Sequence, residues 1–235
     1  MTDAHCHLAA DEKTRHFICC EPTEDAAFFS SSRDLLFLGI HPWQTLDCPN
    51  PDEFISTRLQ PFLNSLAYEF AAQQGPTGIG EIGLDRLKCR DISPLMRQVF
   101  ESQLAFAAAN QKPVVLHGAK CWGQVVAACE KFADRIPRFL FHGFSRSDGL
   151  IPNIIRLNGF VSVGPAILND HAVNYHKLIQ ALPLDRILLE TDRTSSSAAN
   201  LPRIEEIAAK VAELRGMTTA ALSAAVEQNA DIWFA

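Results

Sequence analysis

No apolar run in the sequence approaches the roughly 20 residues that a membrane-spanning helix needs. Met1 leads into polar Thr2-Asp3 rather than into a basic and then apolar leader, so a soluble, cytoplasmic protein without membrane contact is expected. The seven cysteines (Cys6, Cys19, Cys20, Cys48, Cys89, Cys121 and Cys129) include no CxxC pair. Neither a disulfide framework nor a paired-cysteine zinc module is therefore suggested, and reduced thiols are the better reading. Basic excess is lacking too: 21 Lys and Arg stand against 27 Asp and Glu, a formal charge of -6. That excludes a protein that coats nucleic acid by bulk charge. It does not exclude a local site, because bound cations can supply the positive field that a phosphate requires. Low-complexity tracts, solenoid repeats and linkers are also missing, so residues 1–235 are expected to form a single domain.

What is present is a globular composition, 47% hydrophobic and 20% charged, with a regular alternation of short apolar runs and longer helical segments. The runs fall at Thr2–His7, His16–Cys20, Leu35–His41, Pro76–Glu81, Pro113–His117, Arg138–His142, Gly159–Gly164 and Arg186–Asp192. Leu35-Leu36-Phe37-Leu38 and Pro113-Val114-Val115-Leu116 are apolar without alternation, as parallel strands covered on both faces should be. Helical spacing is clearest at Pro94–Asn110, where Ser93-Pro94 makes a plausible cap, and at Pro202–Leu214. Further helices are expected at Asp52–Leu66, Trp122–Phe132, Gly149–Leu157, Ala172–Ala181 and Thr218–Asn229. Eight strands alternating with helical segments in a chain this long predict an α/β protein, a (β/α)8 TIM barrel. The barrel should be distorted, because only Leu8 to Arg15 separate the first two strands, too few residues for a crossover helix.

Polar chemistry gathers where these strands end. Asp3-Ala4-His5-Cys6-His7 places two imidazoles at i and i+2, on one face of a strand. A lone HxH pair is weak, since buried, hydrogen-bonded histidines are common. The same position recurs, however, at His41, Glu81, His117, His142 and Asp192, so six of the eight expected strands end on such a residue. Barrel active sites lie at the carboxyl ends of strands, and burying several ionisable groups together is costly unless metal or hydrogen bonds compensate. Imidazole and carboxylate donors in this number suit zinc, manganese, iron or a related ion rather than a calcium cage. The count fits two divalent ions, with Glu81 the natural bridge between them. Cys6 should face away from the ligands as a small buried residue, and His171 and His176, five apart, do not make a helical metal pair. His16 should sit at the opposite end of the barrel from the site.

The ordered set DAHCHL, GIHPWQ, GEIGLD, PVVLHG, FHGFS and LLETD resembles the TatD family of metal-dependent deoxyribonucleases in the amidohydrolase superfamily, from Asp3 to about Phe234. The resemblance implies a distorted barrel and cleavage of phosphodiester bonds in DNA or an oligonucleotide by a metal-activated water. It implies two divalent ions (zinc, manganese or magnesium): His5, His7, Glu81 and Asp192 on one, Glu81, His117 and His142 on the other. Asp192 would also take a proton, and His41 would contact the phosphate rather than a metal. A monomer is the simplest expectation.

The chain leaves the family pattern at the rim. Gly118-Ala119-Lys120 replaces the common serine and arginine after the fifth-strand histidine, and Arg193-Thr194 followed by Ser195–Ser197 replaces an alanine-proline pair. Lys120, Arg146 and Arg193 are candidate phosphate contacts, against the alternative of ordinary solvated charge. Trp43 and Trp122 are positioned for base stacking or for packing under a loop. The competing function is a lactone, amide or phosphotriester hydrolase acting on a small molecule, in which the bridging ligand is often a carboxylated lysine. A carboxylate at position 81 favours the nuclease.

Overall fold

The protein is described by a computed structural model covering residues 1–22, 33–73, 75–145, 148–194 and 202–234. Eight strands join in one sheet in chain order: β1 (Thr2–Cys6), β2 (Arg15–Cys20), β3 (Leu35–Leu38), β4 (Gly78–Asp85), β5 (Val114–Ala119), β6 (Phe139–Phe141), β7 (Gly159–Val163) and β8 (Ile187–Leu189). The β1–β2, β3–β4, β4–β5 and β7–β8 ladders are parallel. With helices in the crossovers from β3 to β8 this is the (β/α)8 barrel that the apolar runs predict. Every residue of β1, β4 and β7 is buried, as in parallel strands covered on both faces.

The helices are α1 (Pro51–Phe54), α2 (Gln60–Ala71), α3 (Pro94–Ala109), α4 (Trp122–Glu130), α5 (Ile151–Arg156), α6 (Val173–Ala181), α7 (Ile204–Leu214) and α8 (Thr219–Phe234). A π-helical turn, Ile55–Leu59, joins α1 to α2. No helix among the described residues is long and apolar enough to cross a membrane. α3 begins as its sequence suggests: the Ser93 hydroxyl accepts from the Met96 amide at 3.0 Å, with Pro94 in the first turn.

By its internal contacts the chain divides into two compact units, one of Met1–Ile18, Asp25–Leu35 and Leu140–Ala235, the other of Cys19–Glu24 and Leu36–Phe139. In the first, the short β1–β2 connection contains no helix. It is held instead by an Asp turn: Asp11 Oδ1 accepts from the Lys13 and Thr14 amides at 2.7 and 2.8 Å, and these bonds, Thr14's foremost, lower its pKa. His16 completes the turn. Its Nε2 accepts from the Ala10 amide at 3.1 Å, and its Nδ1 lies 3.0 Å from Asp34 Oδ1.

In each unit one ladder slips beside a residue of interest. The β1–β2 register shifts between Asp3 and Cys6, around His5, and the β4–β5 register shifts between Ile79 and Ile82, around Glu81. Irregularities of this kind re-aim side chains and are common beside active sites. The distortion expected of this barrel is the helix-free β1–β2 connection.

Candidate metal centres

In the unit built around β1, β7 and β8, His5 lies within β1, His7 just past it, His142 just past β6, and Asp192 three residues beyond β8. His5 is fully buried and His142 nearly so. Asp192 is pinned to β1 through its amide, which donates to the His5 carbonyl at 3.1 Å. Its φ of +50° is a left-handed conformation that aspartate tolerates better than most residues. The Asp192 carboxylate then stands 3.5 Å from His5 Nε2 and 3.8 Å from His7 Nε2, and the rings of His5 and His142 are 4.1 Å apart. One potential ligand atom from each of His5, His142 and Asp192 fits within 4.8 Å of the others.

Two further carboxylates support this cluster, and sequence reasoning passed over both although they lie inside the quoted motifs. Asp3, of DAHCHL, accepts from the Thr191 amide and hydroxyl at 2.9 and 2.6 Å, tying β1 to the end of β8. Burial outweighs those bonds and raises its pKa to about 6. Glu190, of LLETD, is buried, accepts from the Ser162 hydroxyl, and lies 3.6 Å from His142 Nδ1. The signal that could have found them is the position of each, two residues from a ligand candidate on the same strand end.

In the other unit, Glu81 in β4, His117 in β5 and His41 just past β3 form the second cluster, again within 4.8 Å. Glu81 is 4% exposed, so its charge needs partners. His117 is held at both ring nitrogens, Nδ1 2.7 Å from Glu81 Oε1 and Nε2 3.0 Å from Asp85 Oδ2. Asp85 is also missing from the sequence reading, although it closes the GEIGLD motif. Burial would raise its pKa, but hydrogen bonds from His117, Trp43 and the Lys88 and Leu87 amides overcome this and hold it well below the usual carboxylate range. An ionised Asp85 keeps the proton on His117 Nε2 and leaves Nδ1, beside Glu81, as the nitrogen able to bind an ion.

His41 differs. Its Nδ1 accepts from the Trp43 amide at 3.2 Å, which in a neutral ring puts the proton on Nε2, 3.6 Å from Glu81 Oε1. The ring is thereby set to donate. Its backbone is fixed by Gln103 of α3, whose side chain accepts from the Ile40 amide at 2.7 Å and donates to the Ile40 carbonyl at 3.1 Å. Within one unit His142 stands with His5 and Asp192, and within the other His41 stands with Glu81 and His117.

Two glycines make the second cluster possible. A Cβ on Gly83, whose φ is +157°, would come within 2.0 Å of the His117 carbonyl, so only glycine lets β5 approach β4 there. A Cβ on Gly118 would strike the Trp122 ring at 2.2 Å. This accounts for one rim departure, because the serine of the family pattern is replaced where buried Trp122 needs the space. Trp122 is thus a packing residue, whereas Trp43 is 46% exposed and donates its Nε1–H to Asp85 at 2.7 Å. Lys120 is exposed beyond β5, and Arg193 is half-buried with its carbonyl accepting from the His7 amide at 2.7 Å. Arg146 and Ser195–Ser197 lie outside the described residues. Cys6 is buried with its thiol directed at the Phe17 carbonyl, His171 is exposed, and His176 Nε2 meets the Ile167 carbonyl at 3.0 Å.

The family model for TatD-related DNases matches residues 26–235. The chain belongs to that family. It is 24% identical over 202 residues to the metal-dependent hydrolase YabD of Bacillus subtilis, covering 82% of this chain and 74% of that one. Over 181 residues it is 26% identical to the 3'-5' ssDNA/RNA exonuclease TatD of Klebsiella pneumoniae, covering 72% and 69%. The solved structure of YJJV, a TatD homologue from Escherichia coli K12, superimposes with a TM-score of 0.77 at 20% identity, covering 100% of this chain and 97% of the other. As a TatD-family member the protein is a metal-dependent hydrolase. The family match begins after DAHCHL, so for His5 and His7 the geometry of β1 is the main support.

Proposed function

We propose that this TatD-family protein is a phosphodiesterase that removes nucleotides from single-stranded DNA or RNA, using two divalent ions drawn from zinc, manganese and magnesium. The observation that carries the reading is that His142 and Asp192 of the first cluster line a cavity of about 570 Å³, within the range of small-ligand sites. Nitrogen and carboxylate donors in both clusters fit such ions. His5, His7, His142 and Asp192 would hold one, and Glu81 and His117 the other. When bound, the ions supply Lewis acidity toward a phosphoryl oxygen.

The side chains do the rest. Asp192, half-exposed at the cavity wall, accepts the proton of the attacking water. His41 donates its Nε2 proton to a phosphate oxygen, the role its Trp43 bond prepares. Asp85 orients His117 through its hydrogen bond, and Glu190 lines the cavity beside His142. Lys120 and Arg193 offer charge to the phosphate from the strand ends that carry His117 and Asp192. Every group in this reading comes from one chain, so a monomer suffices.

The test offers purified protein bis(p-nitrophenyl) phosphate, single-stranded and double-stranded DNA, single-stranded RNA and a panel of lactones, with each metal in turn. Metal-dependent cleavage of the phosphodiesters is expected, and cleavage of lactones alone would overturn the reading. Asp192→Asn should lower kcat by roughly 100-fold to 10,000-fold, the span of general-base contributions, with an unchanged circular dichroism spectrum. A near-normal rate removes Asp192 from its assigned role.

A further inference from the structure

The cavity at His142 and Asp192 does not end there. Ser145, Ala166 and Tyr175 line it and also line a second, larger cavity of about 1030 Å³ that runs along α6 past His171, Asn174 and Lys177. The two therefore share a wall within one unit of the chain. The second cavity contains no residue of either metal cluster, and its volume stands at the upper end of what small-ligand sites provide, more than the reacting group needs.

Its lining favours an anion with an apolar attachment. Lys177 is exposed and, among the described residues, has no ion-pair partner. Neighbouring Asp170 is neutralised by Lys210 at 3.0 Å. Asp148 is the acid on the wall, and His171 stands with Lys177 as a second nitrogen base. Val173 is 54% exposed on the same lining, an apolar surface on which the face of a base can rest.

We propose that this groove is a subsite for the nucleotides that adjoin the scissile bond in a single-stranded substrate, with Lys177 and Asn174 meeting a backbone phosphate. The inference rests on the phosphodiesterase reading. It makes the protein sensitive to chain length, because only a substrate that extends beyond the reacting group reaches the groove.

The experiment compares the metal-loaded wild type with Lys177→Glu and Asn174→Ala on three substrates: bis(p-nitrophenyl) phosphate, a dinucleotide, and 5'-labelled ten-residue oligomers of thymidine or deoxyadenosine. Lys177→Glu should raise KM for both oligomers about fivefold to tenfold with little change in kcat. It should also reduce the dependence of log KM on log salt by about 0.7, the value for one phosphate contact on a single strand. Asn174→Ala should move KM the same way by a smaller factor. Hydrolysis of bis(p-nitrophenyl) phosphate should stay at the wild-type rate, which also certifies folding. If the oligomers are cleaved and both variants match the wild type on them, the groove proposal fails alone. Equal losses on the oligomers and on bis(p-nitrophenyl) phosphate also overturn it. If the wild type hydrolyses bis(p-nitrophenyl) phosphate and leaves every oligomer intact, the nucleic-acid reading fails and takes the groove with it.

Discussion

Asp85 receives four donors on two oxygens: the Trp43 indole and His117 Nε2 on Oδ2 at 2.7 and 3.0 Å, and the Leu87 and Lys88 amides on Oδ1 at 2.5 and 2.8 Å. An asparagine there must present its NH2 group to one of those pairs, so a donor faces donors whichever way the amide is turned. The Asp85→Asn variant should therefore lose the orientation and tautomer of His117, weakening zinc binding by about 10-fold to 100-fold, as loss of such outer partners does. Calorimetric titration measures it, and an unchanged affinity would deny Asp85 its positioning role. Sequence reading reached the ligand candidates because histidines and carboxylates at strand ends are individually conspicuous. It missed Asp85, Glu190, Asp3 and Gln103 because their work is to bond other site groups across strands or between helix and strand. That pairing depends on register, which is shifted beside both Glu81 and His5.

At the scale of elements, the apolar runs located all eight strands, since a doubly covered parallel strand has little freedom to be anything but apolar. Their ends were less legible. β4 continues to Asp85 where the sequence suggested an end at Glu81, because Ile82 and Leu84 remain fully buried and continue the ladder to β5. α2 runs on to Ala71, past the expected Leu66, since nothing in Ala67-Tyr68-Glu69-Phe70 breaks a helix before Gly75-Pro76. The start of α3 was legible to the residue because its cap is local chemistry: a hydroxyl, a proline, and an amide three positions on. That element positions His41 through Gln103 while its own start depends on Ser93. Ser93→Ala should cost about 1 kcal/mol, within the spread of about 0.5–2 for lost N-caps, read as a lower urea midpoint with an unchanged slope. A midpoint equal to that of the wild type would mean that Ser93 contributes nothing as a cap.

For the whole molecule, metal removal tests the two ligand groupings that fall within single compact units. His5, His142 and Asp192 belong to one unit, and His41, Glu81 and His117 to the other. An ion bound to the folded chain and not to the unfolded one stabilises by about 2.7 kcal/mol when present at 100 times its Kd. For a chain of this size that corresponds to roughly 5–11 °C in Tm. Chelation should therefore lower Tm and reduce amide protection in both units at once. His142→Ala should bind one ion instead of two and retain metal-dependent protection within residues 36–139, whereas His117→Ala should retain it within residues 140–234. Native mass spectrometry counts the ions, and hydrogen exchange with and without chelator locates the protection. If each single variant still binds two ions, or if chelation changes protection in only one unit, then the clusters are not separate ion sites, and the two-ion reading must give way to one shared centre or a single occupied cluster.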